Sequence, residues 1–235
     1  MRHFIFDVDG TLTPSREPID EEFSLWLFNF CNRIENSCYI ATGSDYAKTE
    51  EQLGEAILMA CERVYNCSGN DVWEKGKNIF TTEIEVPEPM QTLFDEFLND
   101  SQFGIKTGNH VELRPGMINF SIVGRNATKE DRQAYIHWDR AINERVLLKA
   151  MLSDAFLEWD INVAGDTGID IVPWGHGKEQ ILKDFNPISD EIYFFGDKMA
   201  EGGNDYKLAQ KILASNNYCF AVKDWKDTWN YLKDL

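Results

Sequence analysis

Phe6-Asp7-Val8-Asp9-Gly10-Thr11-Leu12-Thr13 closes an apolar run that begins at His3. The run from His3 to Val8 predicts a buried strand, and acids two residues apart on a strand share one face. Open α/β sheets bind ligands beyond the carboxyl ends of their strands. Asp7 and Asp9 therefore stand where a ligand would sit. A D-x-D pair also opens calcium loops, but that pattern needs glycine at its sixth position and glutamate at its twelfth. Leu12 and Pro18 occupy those positions and exclude it.

The flanking sequence supplies the sheet. Asp20 caps an expected helix to about Asn36, with Phe23, Trp26, Leu27, Phe30 and Ile34 at helical spacing. Cys38–Thr42 reads as a second strand, Tyr46–Leu53 as a helix closing on Gly54, and Arg63–Cys67 as a third strand. This β-α-β-α-β order implies parallel strands with helical crossovers. From about residue 80 to 174 the pattern changes. Met117, Asn119, Ser121 and Val123 alternate with Ile118, Phe120 and Ile122, and one long helix is expected from Lys129 to Phe156, opened by Thr128-x-x-Asp131. The α/β rhythm then returns with a helix near Lys178–Lys183, a strand at Glu191–Phe195, a helix from Asn204, a strand at Tyr218–Val222 and a terminal helix. The expected fold is α/β: a Rossmann-like parallel-sheet core, residues 1–80 and 176–235, interrupted by an inserted α+β cap, residues 81–175.

Three further motifs fall at strand ends. Ala41-Thr42-Gly43-Ser44-Asp45 joins a hydroxyl, a glycine and a helix N-terminus, which together can seat a phosphate. Lys178, in Gly175-His176-Gly177-Lys178, can neutralise phosphoryl oxygens. Asp197, behind the strand ending at Phe195, can complete an oxygen cage for Mg²⁺, with Asn204 and Asp205 supporting Lys178 or the metal from behind. Each motif alone has a bland reading: a polar turn, a helix cap, a solvated lysine. Their occurrence in this order at successive strand ends favours phosphoryl transfer, in which a carboxylate attacks phosphorus and its neighbour shuttles the proton.

Composition narrows the partners. With 40 acidic against 23 basic residues and a net charge of −17, the chain offers no basic face for nucleic acid. An acidic protein must concentrate its few arginines to hold an anionic substrate. No apolar stretch has the length of a membrane span. Five cysteines without a CxxC pair fit reduced thiols and a cytoplasmic location.

These motifs resemble the haloacid dehalogenase superfamily, and more closely its branch of eukaryotic-type phosphomannomutases. The similarity is carried by Phe6–Arg16 (FDVDGTLTPSR), Gly43–Gly54 (GSDYAKTEEQLG), Arg114–Arg125 (RPGMINFSIVGR) and Phe194–Asp205 (FFGDKMAEGGND). It extends over nearly the whole chain, with a shortened stretch around residues 85–105. The resemblance implies that Asp7 is the nucleophile and Asp9 the acid/base, with Ser44 and Lys178 serving the phosphoryl group. It implies Mg²⁺ on Asp7, the Asp9 backbone carbonyl and Asp197. It assigns sugar-phosphate contacts to Arg16, Arg114, Arg125, Arg132 and Asp170, and suggests a homodimer joined through the caps. Arg132 is notable in itself, because a cation in a helix's first turn opposes the helix dipole unless an anion lies near.

The chain departs from the family pattern at three places. Gly168 stands where the family has a serine, Pro115 replaces an asparagine, and Ser68-Gly69-Asn70 replaces a Glu-Asn-Gly turn. The activity implied is interconversion of mannose 6-phosphate and mannose 1-phosphate through a hexose 1,6-bisphosphate, which would also be the activator. The alternative is a sugar-phosphate phosphatase on the same core, with water discharging the aspartyl-phosphate. A silent binding protein that keeps the fold is the third reading, and retention of Asp7, Asp9, Lys178 and Asp197 argues against it.

Overall fold

The computed structural model describes residues 2–186 and 189–235. It opens with β1 (Arg2–Phe6), α1 (Glu21–Cys31), β2 (Asn36–Ala41), α2 (Tyr46–Leu53), α3 (Glu55–Ala60) and β3 (Arg63–Asn66). A hairpin of β4 (Asp71–Glu74) and β5 (Lys77–Thr81) follows. Then come α4 (Glu88–Asp100), β6 (Val111–Arg114), β7 (Met117–Phe120), α5 (Lys129–Ile142), α6 (Glu144–Ala155), β8 (Trp159–Ala164) and β9 (Gly168–Pro173). A 3₁₀ segment at Lys178–Asp184 leads to β10 (Glu191–Gly196), α7 (Tyr206–Ala214), β11 (Tyr218–Ala221) and α8 (Trp225–Lys233). The chain divides into two compact units, one of Met1–Thr82 with His176–Leu235 and one of Glu83–Gly175.

In the first unit seven strands pair in the order β11-β10-β1-β2-β3-β4-β5. β1 is parallel to both β2 and β10, while β4 and β5 run antiparallel. The chain leaves β1 toward β2 on one side and later returns to β10 on the other. That reversal is a topological switch point, and it opens a crevice at the carboxyl end of β1. Successive side chains of β1 go to opposite faces. Phe4 and Phe6 pack with Phe23, Leu27 and Phe30 of α1, whereas Ile5 packs with Phe194, Leu208 and Ile212. All three β1 side chains are fully buried, so this strand is fixed from both sides.

In the second unit β6-β7-β9-β8 form an antiparallel sheet. Ile118, Phe120, Ile161, Ile169 and Ile171 face the helices α4, α5 and α6 through Met90, Phe94, Phe97, Tyr135, Leu148 and Leu152. No helix among the described residues is long and apolar enough to cross a membrane.

Several expected boundaries are corrected. α1 stops at Cys31, where Asn32 bonds its side-chain and backbone N–H groups to the Phe28 carbonyl. Ile34 is left exposed, and Asn36, its carboxamide held by Arg2 and the Phe30 carbonyl, starts β2. The single helix from Lys129 to Phe156 is two helices, broken where Asn143 adopts left-handed φ 56°. The capping box of Thr128 and Asp131 opens the first of them as expected. α7 begins at Tyr206 rather than Asn204, and the helix near Lys178 is 3₁₀. The 117–123 alternation does not separate inside from outside, because every residue from Met117 to Val123 is buried and the strand ends at Phe120. Elements not anticipated include α3, the β4–β5 hairpin and α4, whose Met90, Phe94 and Phe97 repeat at helical spacing behind Pro89.

Candidate active site

β1 ends at Phe6, yet the Asp7 N–H still bonds the Phe195 carbonyl of β10 at 3.0 Å, so Asp7 continues the ladder by one residue. Beyond it the backbone turns. The Val8 carbonyl accepts from the N–H groups of Thr11, Leu12 and Thr13. Asp9 is therefore carried by a turn and not by strand alternation. Its carboxylate accepts from the Arg16 N–H at 2.6 Å and from Gln52 Nε2 at 2.9 Å, two partners that spacing alone did not reveal. Arg16 is exposed and sits in the left-handed region at φ 62°.

Asp7 is buried, and its Oδ1 receives the Lys178 ammonium at 2.5 Å. Thr11 Oγ1 approaches the other oxygen at 3.3 Å. Lys178 is itself buried and bonds Asp205 at 2.7 Å, so one ammonium bridges two carboxylates across three segments of chain. The Asp205 carboxylate also takes the Lys198 N–H at 3.2 Å. Asn204 is exposed and shares none of these bonds. Asp197, the partly exposed member, approaches Gly10 so closely that a Cβ there would lie 2.7 Å from its Oδ2; Gly10 also holds φ +82°. On the neighbouring strand end, Ser44 N–H bonds Thr42 Oγ1 at 3.1 Å, and Asp45 caps α2 through the Lys48 N–H.

Electrostatics make this a cation site. The carboxylate oxygens of Asp7, Asp197 and Asp205 lie within 4.8 Å of one another. Three carboxylates facing one ammonium leave negative charge that a divalent ion would match, and hard oxygen donors suit Mg²⁺. Burial pushes the Asp7 carboxyl up to about 7, against the pull of Lys178 and with the help of Asp205 and Asp197. Burial likewise raises Asp197. The lysine is raised as well: burial alone would lower it, but the charges and hydrogen bonds of Asp205 and Asp7 outweigh that desolvation and keep the ammonium charged. The donor set thus fits the ion, and the carboxylate of Asp9 does not join it.

The second unit carries its own polar cluster. Cross-strand register puts Glu112, Asn119, Asp170 and Asn162 in one row across β6, β7, β9 and β8. Glu112 pairs with Arg114 at 2.8 Å and, more closely, with Arg125. Burial lowers the Arg125 pKa, Glu112 and Asp170 raise it, and Arg114 and Arg132 lower it, so all five charges share one field. Arg114, Arg125, Arg132 and Asp170 are thereby brought together. Glu112 and Asn119 escaped sequence reading, because the pairing of β6, β7 and β9 that sets them beside Asp170 could not be read in advance.

A family model described as eukaryotic phosphomannomutase matches residues 27–235. A phosphomannomutase from Galdieria sulphuraria is 34% identical over 216 residues, covering 88% of this chain and 84% of the relative. The chain belongs to the eukaryotic phosphomannomutase family. Phosphomannomutase 1 of Dictyostelium discoideum, 31% identical, aligns with 98% of the chain and 95% of its own length. Since the family model begins at residue 27, Asp7, Asp9 and Arg16 lie ahead of it. Among solved structures, a haloacid dehalogenase-like hydrolase from Bacteroides thetaiotaomicron shares the fold at TM-score 0.63 and 11% identity, covering 99% of this chain and 98% of that one. Trehalose-6-phosphate phosphatase from Aspergillus fumigatus does so at TM-score 0.60 and 16% identity, covering 99% and 91%.

Proposed function

We propose that this chain interconverts mannose 6-phosphate and mannose 1-phosphate by way of an aspartyl-phosphate on Asp7 and a hexose 1,6-bisphosphate. The observation that carries the reading is the buried Asp7 carboxylate, held by Lys178 at the switch point of the sheet, in a chain of this family. The phosphatase and the hydrolase that share the fold, 16% and 11% identical, speak for the architecture alone.

Asp7 attacks a phosphorus of the bisphosphate, and the sugar oxygen leaves with a proton from Asp9. A substrate monophosphate then presents its unphosphorylated hydroxyl, Asp9 takes that proton, and the oxygen attacks the aspartyl-phosphate to give a bisphosphate. That bisphosphate reorients, Asp7 takes its other phosphoryl group, and the isomeric monophosphate leaves. Lys178 offsets charge on Asp7 and the phosphoryl oxygens, with Asp205 rather than Asn204 holding the ammonium in place. Ser44 and the start of α2 supply donors to the phosphoryl group, and Arg16 grips the sugar phosphate. Mg²⁺ on Asp7, the Asp9 carbonyl and Asp197 would shield phosphoryl charge when bound. In the second unit, Arg114, Arg125 and Arg132 would hold the non-reacting phosphate and Asp170 a sugar hydroxyl. The exposed apolar row Ile142, Val146, Leu147 and Met151 is our candidate for a homodimer contact, and sedimentation of a Met151→Lys chain as monomer against a parental dimer checks it.

The test of the activity is mannose 1-phosphate with a hexose 1,6-bisphosphate, following hexose 6-phosphate and free phosphate together. Hexose 6-phosphate formed without matching free phosphate supports the mutase. Free phosphate as the main product would turn the reading to a phosphatase.

A further inference from the structure

Among the described residues, the face of the β6-β7-β9-β8 sheet that carries Glu112, Asn119, Asp170 and Asn162 includes a buried amide that is not fully bonded. Asn119 is 4% exposed. Its Nδ2 donates to Asp170 Oδ1 at 2.5 Å, which fixes the amide, since the flipped form would set its oxygen against a carboxylate. Oδ1 is then buried without a hydrogen-bond partner. Buried amide oxygens are nearly always bonded, and an exception calls for a reason. The second Asp170 oxygen also receives no hydrogen bond among the described residues.

Gly168 explains how the amide came to lie there. It pairs with Ala164, two residues before Asp170 on β9. A Cβ at Gly168 would stand 2.8 Å from Asn119 Nδ2 and 3.2 Å from Oδ1, so any side chain would push the carboxamide away. The missing side chain is a slot, and the amide fills it. Two open acceptors therefore lie in the field of the Arg114 and Arg125 guanidinium groups. Acceptors call for hydroxyl donors and the guanidinium groups for an anion, and a phosphorylated polyol carries both.

We propose that Asn119 contacts the sugar directly: its Oδ1 and the open oxygen of Asp170 accept from two hydroxyls of a hexose phosphate, and Gly168 admits the amide to that place. The proposal rests on the reading of the protein as an enzyme of hexose phosphates. It makes the Asn119–Gly168 couple a determinant of which sugar is accepted, because a fixed acceptor pair matches only certain hydroxyl arrangements.

Calorimetric binding of mannose 6-phosphate, its monodeoxy analogues and inorganic phosphate to the full chain, without bisphosphate, tests it. The parent should lose about tenfold or more in affinity for at least one analogue. Asn119→Ala should bind the intact sugar correspondingly weaker, be indifferent to loss of that same hydroxyl, and keep its affinity for inorganic phosphate. A merely structural role would weaken phosphate as well. Gly168→Ala, which displaces the amide without removing it, should reproduce the pattern and stands in should Asn119→Ala fail to fold. Equal sensitivity to every analogue in parent and variants would overturn the proposal. A parent that binds hexose phosphates without isomerising them refutes the mutase reading and leaves this comparison decisive. A parent that binds none refutes both.

Discussion

The two polar clusters solve the problem of buried charge in opposite ways. In the first unit, Lys178 is bonded by Asp7 and Asp205, and all three are buried beside the partly exposed Asp197. In the second, Arg114 and Arg125 lean on Glu112, which is 36% exposed, while Asn119 Oδ1 is left without a partner. The first cluster is built so that none of its members can leave. The second is held by a partly exposed carboxylate, which in the proposed clamp an incoming anion would replace. A reacting group needs fixed geometry, whereas a clamp that must release and take up phosphates needs an exchangeable placeholder.

The difference can be broken most violently at Asp7. Asp7→Asn removes the nucleophile while keeping its shape, and turnover should fall below roughly 10⁻⁴ of the parent, as losses of covalent nucleophiles do. Near-parental turnover would end the aspartyl-phosphate reading. Stripping divalent ions with a chelator should bring activity to background, and Mg²⁺ should restore it; Zn²⁺, suited to nitrogen and sulfur donors, should not. Activity that survives exhaustive chelation would mean the acidic cluster has another use.

Lys178→Ala tests how tightly the first cluster is closed. The substitution leaves Asp7 and Asp205 facing each other in a buried site, and removal of one partner from such a group costs about 3–5 kcal/mol. For a chain of this length the melting midpoint should fall by roughly 10 °C. The matching loss in the second cluster should be far smaller. A midpoint unchanged in Lys178→Ala would show that water reaches the site and that the closure is apparent only.

What could be read in advance follows the same division. Asp7 and Asp197 were legible because each follows a strongly apolar strand, and parallel strand order forces such ends together, whereas Lys178, which opens a 3₁₀ segment after the antiparallel β9, was legible only by its motif. Asp205 was legible by proximity to that motif, but its direct bond to Lys178 was not separable from a role for Asn204. Gln52 and Thr11 were illegible, since nothing in a helical glutamine or a turn threonine announces its partner. In the second unit, the arginines stood out against the acidic background, yet register was needed to set Glu112 beside Asn119 and Asp170. The break at Asn143 was hidden because asparagine fits an uninterrupted helical pattern until its left-handed backbone is seen.

Arg125→Ala sharpens the comparison at the level of substrate. Its backbone is already held, N–H to the Gly108 and Asn109 carbonyls, so truncation should leave the loop in place. Turnover of hexose phosphates should drop by about 10–10²-fold, the worth of one or two charge-assisted bonds, while hydrolysis of a small phosphate ester changes little. Equal losses on both, in a folded protein, would remove the clamp and favour a phosphatase.

The smallest effect expected is at Glu112, and its sign is the informative part. Burial raises its carboxyl, but the Arg114 bond and the charges of Arg114 and Arg125 outweigh that and hold it below the ordinary value of 4.5. A carboxyl lowered in the fold contributes stability above its unfolded value, and that stability is lost as pH falls through the folded value. Glu112→Gln should therefore be slightly less stable than the parent at neutral pH, by at most about 1 kcal/mol for a pair this exposed, and the gap should close in acid. Phosphate binding should move the other way. With the placeholder's charge gone, the guanidinium groups no longer surrender a partner when the anion arrives, and affinity for inorganic phosphate should rise about two- to fivefold. Weaker phosphate binding in Glu112→Gln would mean that the carboxylate aims the arginines instead of competing for them. The second cluster would then be as fixed as the first, and the contrast between the two units would disappear.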